Sequence, residues 1–187
     1  MSLSTSALVT LADVKTFLGL QNISASDAIL EIIIEAVSAS VTSEASPDLK
    51  STTYAAEAYD GTGKSYFYLD HYPVTTLTSV VEDDTTLVKD TDYFSDDDEG
   101  ILEKPVGYKW TTARGGVVVT YVAGYATLPA DIKLACLIEV GRAFAMVDHK
   151  MFGESSRTVD GTSVTLNTDE LLPATLATLG RYTRTRI

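Results

Sequence analysis

The run Val117-Val118-Val119-Thr120-Tyr121-Val122-Ala123-Gly124-Tyr125-Ala126-Thr127-Leu128-Pro129-Ala130-Asp131-Ile132-Lys133 decides the fold. Its first part, Val117 to Val122, is almost continuously apolar and follows Gly115-Gly116, which predicts a strand covered on both faces by the core or by a neighbouring subunit. Gly124 ends the strand, and Pro129 with Asp131 close behind it opens a helix over 130–148. On that helix Leu134, Leu137, Ile138, Gly141, Phe144 and Ala145 form one stripe, while Ala135, Cys136, Val140, Ala143, Met146 and Val147 make much of the remaining circumference apolar. Such a helix must be covered on most sides, at the centre of a domain, between subunits, or both.

Upstream, 54–125 has a period of two with recurrent turn residues, the mark of a strand-rich section. Tyr54 to Tyr59 is expected to turn at Asp60-Gly61-Thr62-Gly63 into Ser65 to His71, with Pro73 stopping that strand. Leu77 to Glu82 and Thr85 to Val88 flank Asp83-Asp84, and Tyr93-Phe94 and Ile101-Leu102 flank the acidic Asp96 to Gly100. Further upstream, Thr10-Leu11-Ala12-Asp13 has capping-box spacing and starts a helix over 10–18 that ends at Gly19. A second helix over 26–44 turns Leu30, Ile33, Ile34, Val37 and Val41 to one face and Asp27, Glu31 and Glu35 to another, read as a solvated row. Ser43 to Thr53 reads as a linker.

Beyond Lys150 the texture shifts to Gly, Ser and Thr, with a short hairpin expected around Asp160-Gly161 and a weak helix from Leu171 to Leu179. The basic tail carries Arg181, Arg184 and Arg186, either as an arm that docks on another molecule or as a frayed end. The expected class is α+β: N-terminal helices and a long apolar helix near the C-terminal third, packed with a hairpin-rich β section and followed by an extended C-terminal arm. The division is a core over 1–150 and an arm over 151–187.

The 187 residues carry 14 Lys+Arg against 26 Asp+Glu, a formal charge of −12 that repels phosphate backbones and disfavours a dedicated nucleic-acid binder. The single Cys136 has no partner for an intramolecular disulfide and sits among apolar residues, where a thiol behaves as a small hydrophobe. No basic N-terminal segment precedes an apolar run, and Glu31 and Glu35 interrupt the most apolar stretch, so the expectation is a cytoplasmically made protein with no membrane span.

The motifs that might carry chemistry fall short. Gly61-Thr62-Gly63-Lys64-Ser65 looks like the end of a phosphate-binding loop, but Ala58 stands where a Gly is needed and a strand, not a helix, is expected next. Asp96-Asp97-Asp98-Glu99-Gly100 lacks the alternate-position ligands of a calcium loop. His71 and His149 belong to no zinc spacing, and no nucleophile elbow or Cys-His context is present. No catalytic residue, metal ligand or cofactor is therefore assigned. The tyrosines Tyr54, Tyr59, Tyr66, Tyr68, Tyr72 and Tyr93 could stack on bases, yet only Lys64 lies near them, so packing and subunit contacts explain them better.

The chain resembles the head-tail connector proteins of long-tailed bacteriophages and related phage-like particles, also called adaptor or head-completion proteins. The resemblance runs from Leu11-Ala12-Asp13-Val14-Lys15-Thr16-Phe17-Leu18-Gly19 and the helix from Asp27, through Tyr59-Asp60-Gly61-Thr62-Gly63, Leu69-Asp70-His71-Tyr72-Pro73-Val74, Asp92-Tyr93-Phe94 and Gly100-Ile101-Leu102, to the junction quoted above. It implies a virion protein at the head-tail interface, made in the host bacterial cytoplasm. Copies would form a ring, commonly dodecameric, beneath the portal protein, extending the channel through which DNA passes without sequence-specific binding and receiving a downstream stopper or tail-completion protein. On that resemblance Val117, Val119, Tyr121, Leu134, Leu137 and Phe144 are expected at the subunit interface, and Arg157, Arg181, Tyr182, Arg184 and Arg186 at the portal. The alternatives are a tail-completion or tail-terminator ring protein and, in another class, a glycan-binding or enzymatic accessory protein.

Overall fold

The computed structural model describes residues 3–45, 48–148 and 171–183, and the backbone of 156–159 and 162–165. In chain order the elements are α1 (Leu11–Leu18), α2 (Asp27–Glu44), β1 (Thr52–Tyr59), β2 (Tyr66–Tyr68), β3 (Val74–Glu82), β4 (Thr85–Leu87), β5 (Phe94–Asp96), β6 (Ile101–Glu103), β7 (Val117–Ala123), α3 (Ala130–Asp148), β8 (Ser156–Val159), β9 (Thr162–Thr165) and α4 (Pro173–Gly180). The fold is α+β with antiparallel pairing in its sheets. Contacts gather the described residues into a helical unit, residues up to 45 with those from 128 to 183, and a β unit, residues 48–127. Residues 171–183, expected in an arm, belong to the helical unit.

In the helical unit α1 starts with a complete capping box. The Thr10 side chain accepts from the Asp13 N–H at 3.1 Å, and the Asp13 carboxylate accepts from the Thr10 N–H. Gly19 closes α1 in the left-handed region at φ 70°, which a side chain would strain. Asp13 also meets Lys133 at 2.8 Å, tying α1 to α3. On α2, Leu30, Ile33, Ile34, Ser38 and Val41 are buried. Ser38 takes the inner place expected of Val37 because its hydroxyl accepts from the Leu8 N–H at 3.0 Å. The acidic row of α2 is not simply solvated: Lys15 meets Asp27 at 2.7 Å, and Glu35 accepts from the N–H and hydroxyl of Ser4.

The buried face of α3 is Ile132, Ala135, Cys136, Glu139 and Val140, not the stripe through Leu134, Leu137, Ile138, Gly141, Phe144 and Ala145. The reason is Glu139, 1% exposed. One carboxylate oxygen accepts from the Leu172 N–H at 2.6 Å and the Thr175 hydroxyl at 2.7 Å; the other faces the Arg142 guanidinium at 3.0 Å. This face therefore receives α4, whose Thr175 and Leu179 are buried, and Pro173 stands in its first turn, where a missing N–H costs nothing. Strands β8 and β9 pair from Ser156↔Thr165 to Val159↔Thr162, where the sequence places a short hairpin.

In the β unit one sheet runs β1-β7-β3-β4 and a second β2-β6-β5. The hairpin expected between Tyr54–Tyr59 and Ser65–His71 does not form. β1 pairs with β7, Tyr54 opposite Tyr121, and β2 pairs with β6. The connecting segment runs beside 111–113 instead of closing a turn, with the Gly61 N–H on Ala113 O at 2.9 Å and the Gly63 N–H on Thr111 O at 3.2 Å. The hairpins at Asp83-Asp84 and Asp96–Gly100 do form. Asp83 and Asp84 both have positive φ, 45° and 64°, as a two-residue turn matched to strand twist requires. β7 alternates: Val117, Val119, Tyr121 and Ala123 are buried, whereas Val118, Thr120 and Val122 are half-buried, so one face is covered fully and the other in part. The core gathers Phe67, Leu69, Val80, Leu102 and Trp110 with the inner face of β7.

Candidate interaction surfaces

Val117, Val119 and Tyr121 lie in the β unit's own core, so their side chains offer no surface to a second protein. Tyr121 is bound inward: its hydroxyl donates to Glu57 at 2.6 Å and meets the Tyr59 hydroxyl at 2.8 Å, while the Tyr59 hydroxyl also reaches Glu57. Burial, then the hydrogen bond to Glu57, pushes the Tyr59 and Tyr121 hydroxyls well above the ordinary tyrosine range. Tyr54 stacks on His71 with centroids 3.7 Å apart, and burial followed by a bond to Asp48 raises its hydroxyl to about 12. His71 lies between Asp48 at 3.0 Å and Glu57 at 3.7 Å. These tyrosines serve packing and internal hydrogen bonds.

On α3, Leu134 is 49% exposed and Ile138, one turn further, 41% exposed; Leu137 and Phe144 are half-buried. The structure therefore brings the named α3 residues to an outer strip and leaves the named β7 residues inside. Near the C-terminus Arg181 is exposed, but the Tyr182 hydroxyl donates to Asp131 at 2.6 Å, and this bond holds the Asp131 carboxyl below its usual range. The side chains of Arg157, Arg184 and Arg186 lie outside the described residues.

The glycine-rich turn is built for close backbone contact: a Cβ on Gly61 would lie 2.0 Å from Thr111 O. β2 follows it, so the arrangement lacks the helix N-terminus a phosphate needs. At Asp96–Gly100 the carboxylates serve the turn, Asp96 accepting from the Glu99 N–H and Asp97 from the Ser95 hydroxyl at 2.7 Å. Among the described residues no group of three or more His, Cys, Asp and Glu is placed to hold a metal ion, and no helix is long and apolar enough to cross a membrane.

Sequence reasoning passed over two features. Val106 is fully exposed and Tyr108 69% exposed, at the tip of the loop between β6 and β7. The signal was present, because Pro105-Val106-Gly107-Tyr108 places apolar residues where a turn normally carries polar ones. Glu139 was the other, a carboxylate in an apolar helix whose partners Leu172 and Thr175 come from more than thirty residues away and have no local signature.

The two units, with a buried carboxylate serving structure and apolar side chains left outside, define an α+β protein. Solved structures share this fold along the whole chain. The neck of an empty gene transfer agent particle computed with C6 symmetry matches at TM-score 0.63 and 17% identity, covering 100% of this chain and 95% of that one. The neck of the native particle computed with C12 symmetry matches at TM-score 0.57 and 16% identity, covering 100% and 94%. The virion of the native particle matches at TM-score 0.55 and 17% identity with the same coverage, 100% and 94%. The chain belongs to the head completion protein family, which matches residues 7–184. No curated protein matches it.

Proposed function

We propose that this chain is a structural neck subunit that closes into a dodecameric ring beneath the portal, extends the DNA channel and offers a platform for tail attachment. Membership of the head completion family carries the reading. The C6 and C12 symmetries used for two structural neighbours support a ring, and the second is the basis for proposing twelve copies. The formal charge of −12 suits a wall past which DNA must slide, since few cations are available to release its counterions. The role is structural rather than enzymatic, within the virion between head and tail.

Ring closure needs heterologous contacts between two different faces of the subunit. The exposed Leu134 and Ile138 strip of α3, with the half-buried Leu137 and Phe144, is one such face in this reading. Arg181, together with Arg157, Arg184 and Arg186, meets portal carboxylates through the planar guanidinium fork. Tyr182 stays on Asp131. Removing everything after Lys150 would be a poor test of portal contact, because it would strip α4 from α3 and leave Glu139 buried without two of its partners. Charge reversal of the tail arginines is cleaner. Particle images of the purified full chain, alone and with portal, should show a ring with a central hole; a chain that stays solitary in both samples ends the proposal.

A further inference from the structure

We infer that the Pro105–Tyr108 turn is a docking knob for a second copy of this chain, seated against the acidic Asp96–Gly100 turn of its neighbour. The inference rests on the ring reading and names one of its contacts. It starts from how firmly the turn is held. The Tyr108 N–H bonds Pro105 O at 3.0 Å, closing the turn, and both feet are pinned, Lys104 N–H to Ser65 O at 2.7 Å and Trp110 N–H to Lys64 O at 2.9 Å. Beneath it Trp110 is buried edge-on to Phe67, centroids 4.7 Å apart. The Lys104 ammonium sits 4.3 Å over the Trp110 ring and 2.6 Å from Glu82.

A turn anchored in this way keeps its tip in one place, so docking it costs little ordering entropy. The tip nevertheless presents Val106 and Tyr108 to solvent, where their apolar surface contributes nothing to the monomer. Tyrosine is among the residue types that dominate binding energy once desolvated. Exposed Lys64 and Lys109 flank the tip, in a chain that is otherwise strongly acidic.

The occupant follows from charge and position. The knob leaves one end of β6, and the turn with exposed Asp96, Asp97 and Asp98 enters the other end. β6 spans Ile101–Glu103, about 10 Å of extended chain. Near the knob Lys64 and Lys109 outnumber the exposed Glu103, and at the other end Asp96, Asp97 and Asp98 outnumber Lys89, which meets Asp97 at 3.3 Å. One small sheet therefore carries a net cationic, apolar end and a net acidic end. Copies set head to tail bring the unlike ends together, and like ends meeting would repel. That is the heterologous, closing arrangement a ring needs, with the charges fixing register and the apolar tip supplying affinity.

The test uses the full chain. Val106→Cys and Asp98→Cys together, treated with a short bis-maleimide, should give a ladder of linked copies from assembled rings; Cys136 is buried and stays silent. Val106→Ala with Tyr108→Ala should raise the concentration for half-assembly at least about tenfold, with an unchanged melting curve, since both side chains are exposed. Rings that form at the wild-type concentration, or that carry no cross-link, overturn the knob and leave the ring reading intact. Normal rings that no longer join a portal would assign the knob to that other protein and equally overturn it. Absence of any ring from the unsubstituted chain would remove the ring reading itself.

Discussion

The helical and β units each contain a glutamate that joins residues far apart in sequence, yet they hold it in opposite ways. Glu139 is sealed from water and balanced by the Arg142 cation, with backbone and hydroxyl donors from the α4 segment completing its shell. Glu57 is part-exposed and relies on the neutral hydroxyls of Tyr59 and Tyr121, with His71 at its rim. In the helical unit a side chain joins elements that share no backbone ladder. In the β unit the ladder already fixes Tyr54 opposite Tyr121, and the glutamate only adds to it. The same residue type is indispensable where side chains carry long-range order and supplementary where the backbone does.

The sharpest break of that comparison is Glu139→Ala. It removes the buried anion that faces the half-buried Arg142 and frees two donors, the Leu172 N–H and the Thr175 hydroxyl, a loss of about 3–5 kcal/mol in the helical unit. Native-state hydrogen exchange should show α3 and α4 opening while β3 and β7 keep their protection; equal loosening of both units would refute the contrast. Glu57→Ala should cost less, about 1.5–3 kcal/mol, because the strands still pair. It also carries a spectroscopic signature. Removing the hydrogen bond to Glu57 and its charge lets Tyr59 and Tyr121 ionise earlier in an ultraviolet alkaline titration, though burial, the larger cause, still keeps them above ordinary tyrosine.

The smallest expected effect concerns the two ends of the pH scale. Asp13 is held below its usual 3.8 by Lys133 and Thr10, and Asp131 by Tyr182. The stability these carboxylates contribute is complete above the unfolded value and is lost as pH falls through their lower folded values. Raised tyrosines work the other way. Their contribution is complete below 10 and is lost as pH rises, through about 12 for Tyr54. Acid should therefore loosen the helical unit first and alkali the β unit first, as amide exchange at both extremes would register. Thr10→Ala, at a cost of about 1 kcal/mol, should bring the acid transition of the helical unit to higher pH.

What the sequence made legible was local. The capping box from Thr10 to Asp13, the Asp83-Asp84 turn and the Asp96–Gly100 hairpin were all readable because each is satisfied within a few residues. The partner of β1 was not readable: Asp60-Gly61-Thr62-Gly63 looks like a hairpin turn, but pairing with a strand some sixty residues on competes better than closing it. The inner face of α3 was hidden for a related reason. When apolar residues surround a helix, periodicity cannot rank its faces, and the deciding residue was a carboxylate that solvent-based reasoning turns outward. Of the interface residues named from sequence, Leu134 on α3 is exposed and Leu137 and Phe144 are half-buried, whereas those on β7 are buried, because β7 is flanked by β1 and β3 and its inner side chains fill the core.

Cys136 lies beside these events. Burial, helped by the Glu139 charge, raises its thiol to about 12, and it is the sole cysteine of the chain. A thiolate is the reactive species, so a labelling reagent must wait for the helices around it to part. The rate at which the native protein takes up such a label is thus a stopwatch for opening of the helical unit, readable by mass spectrometry inside an intact particle and without engineering a probe.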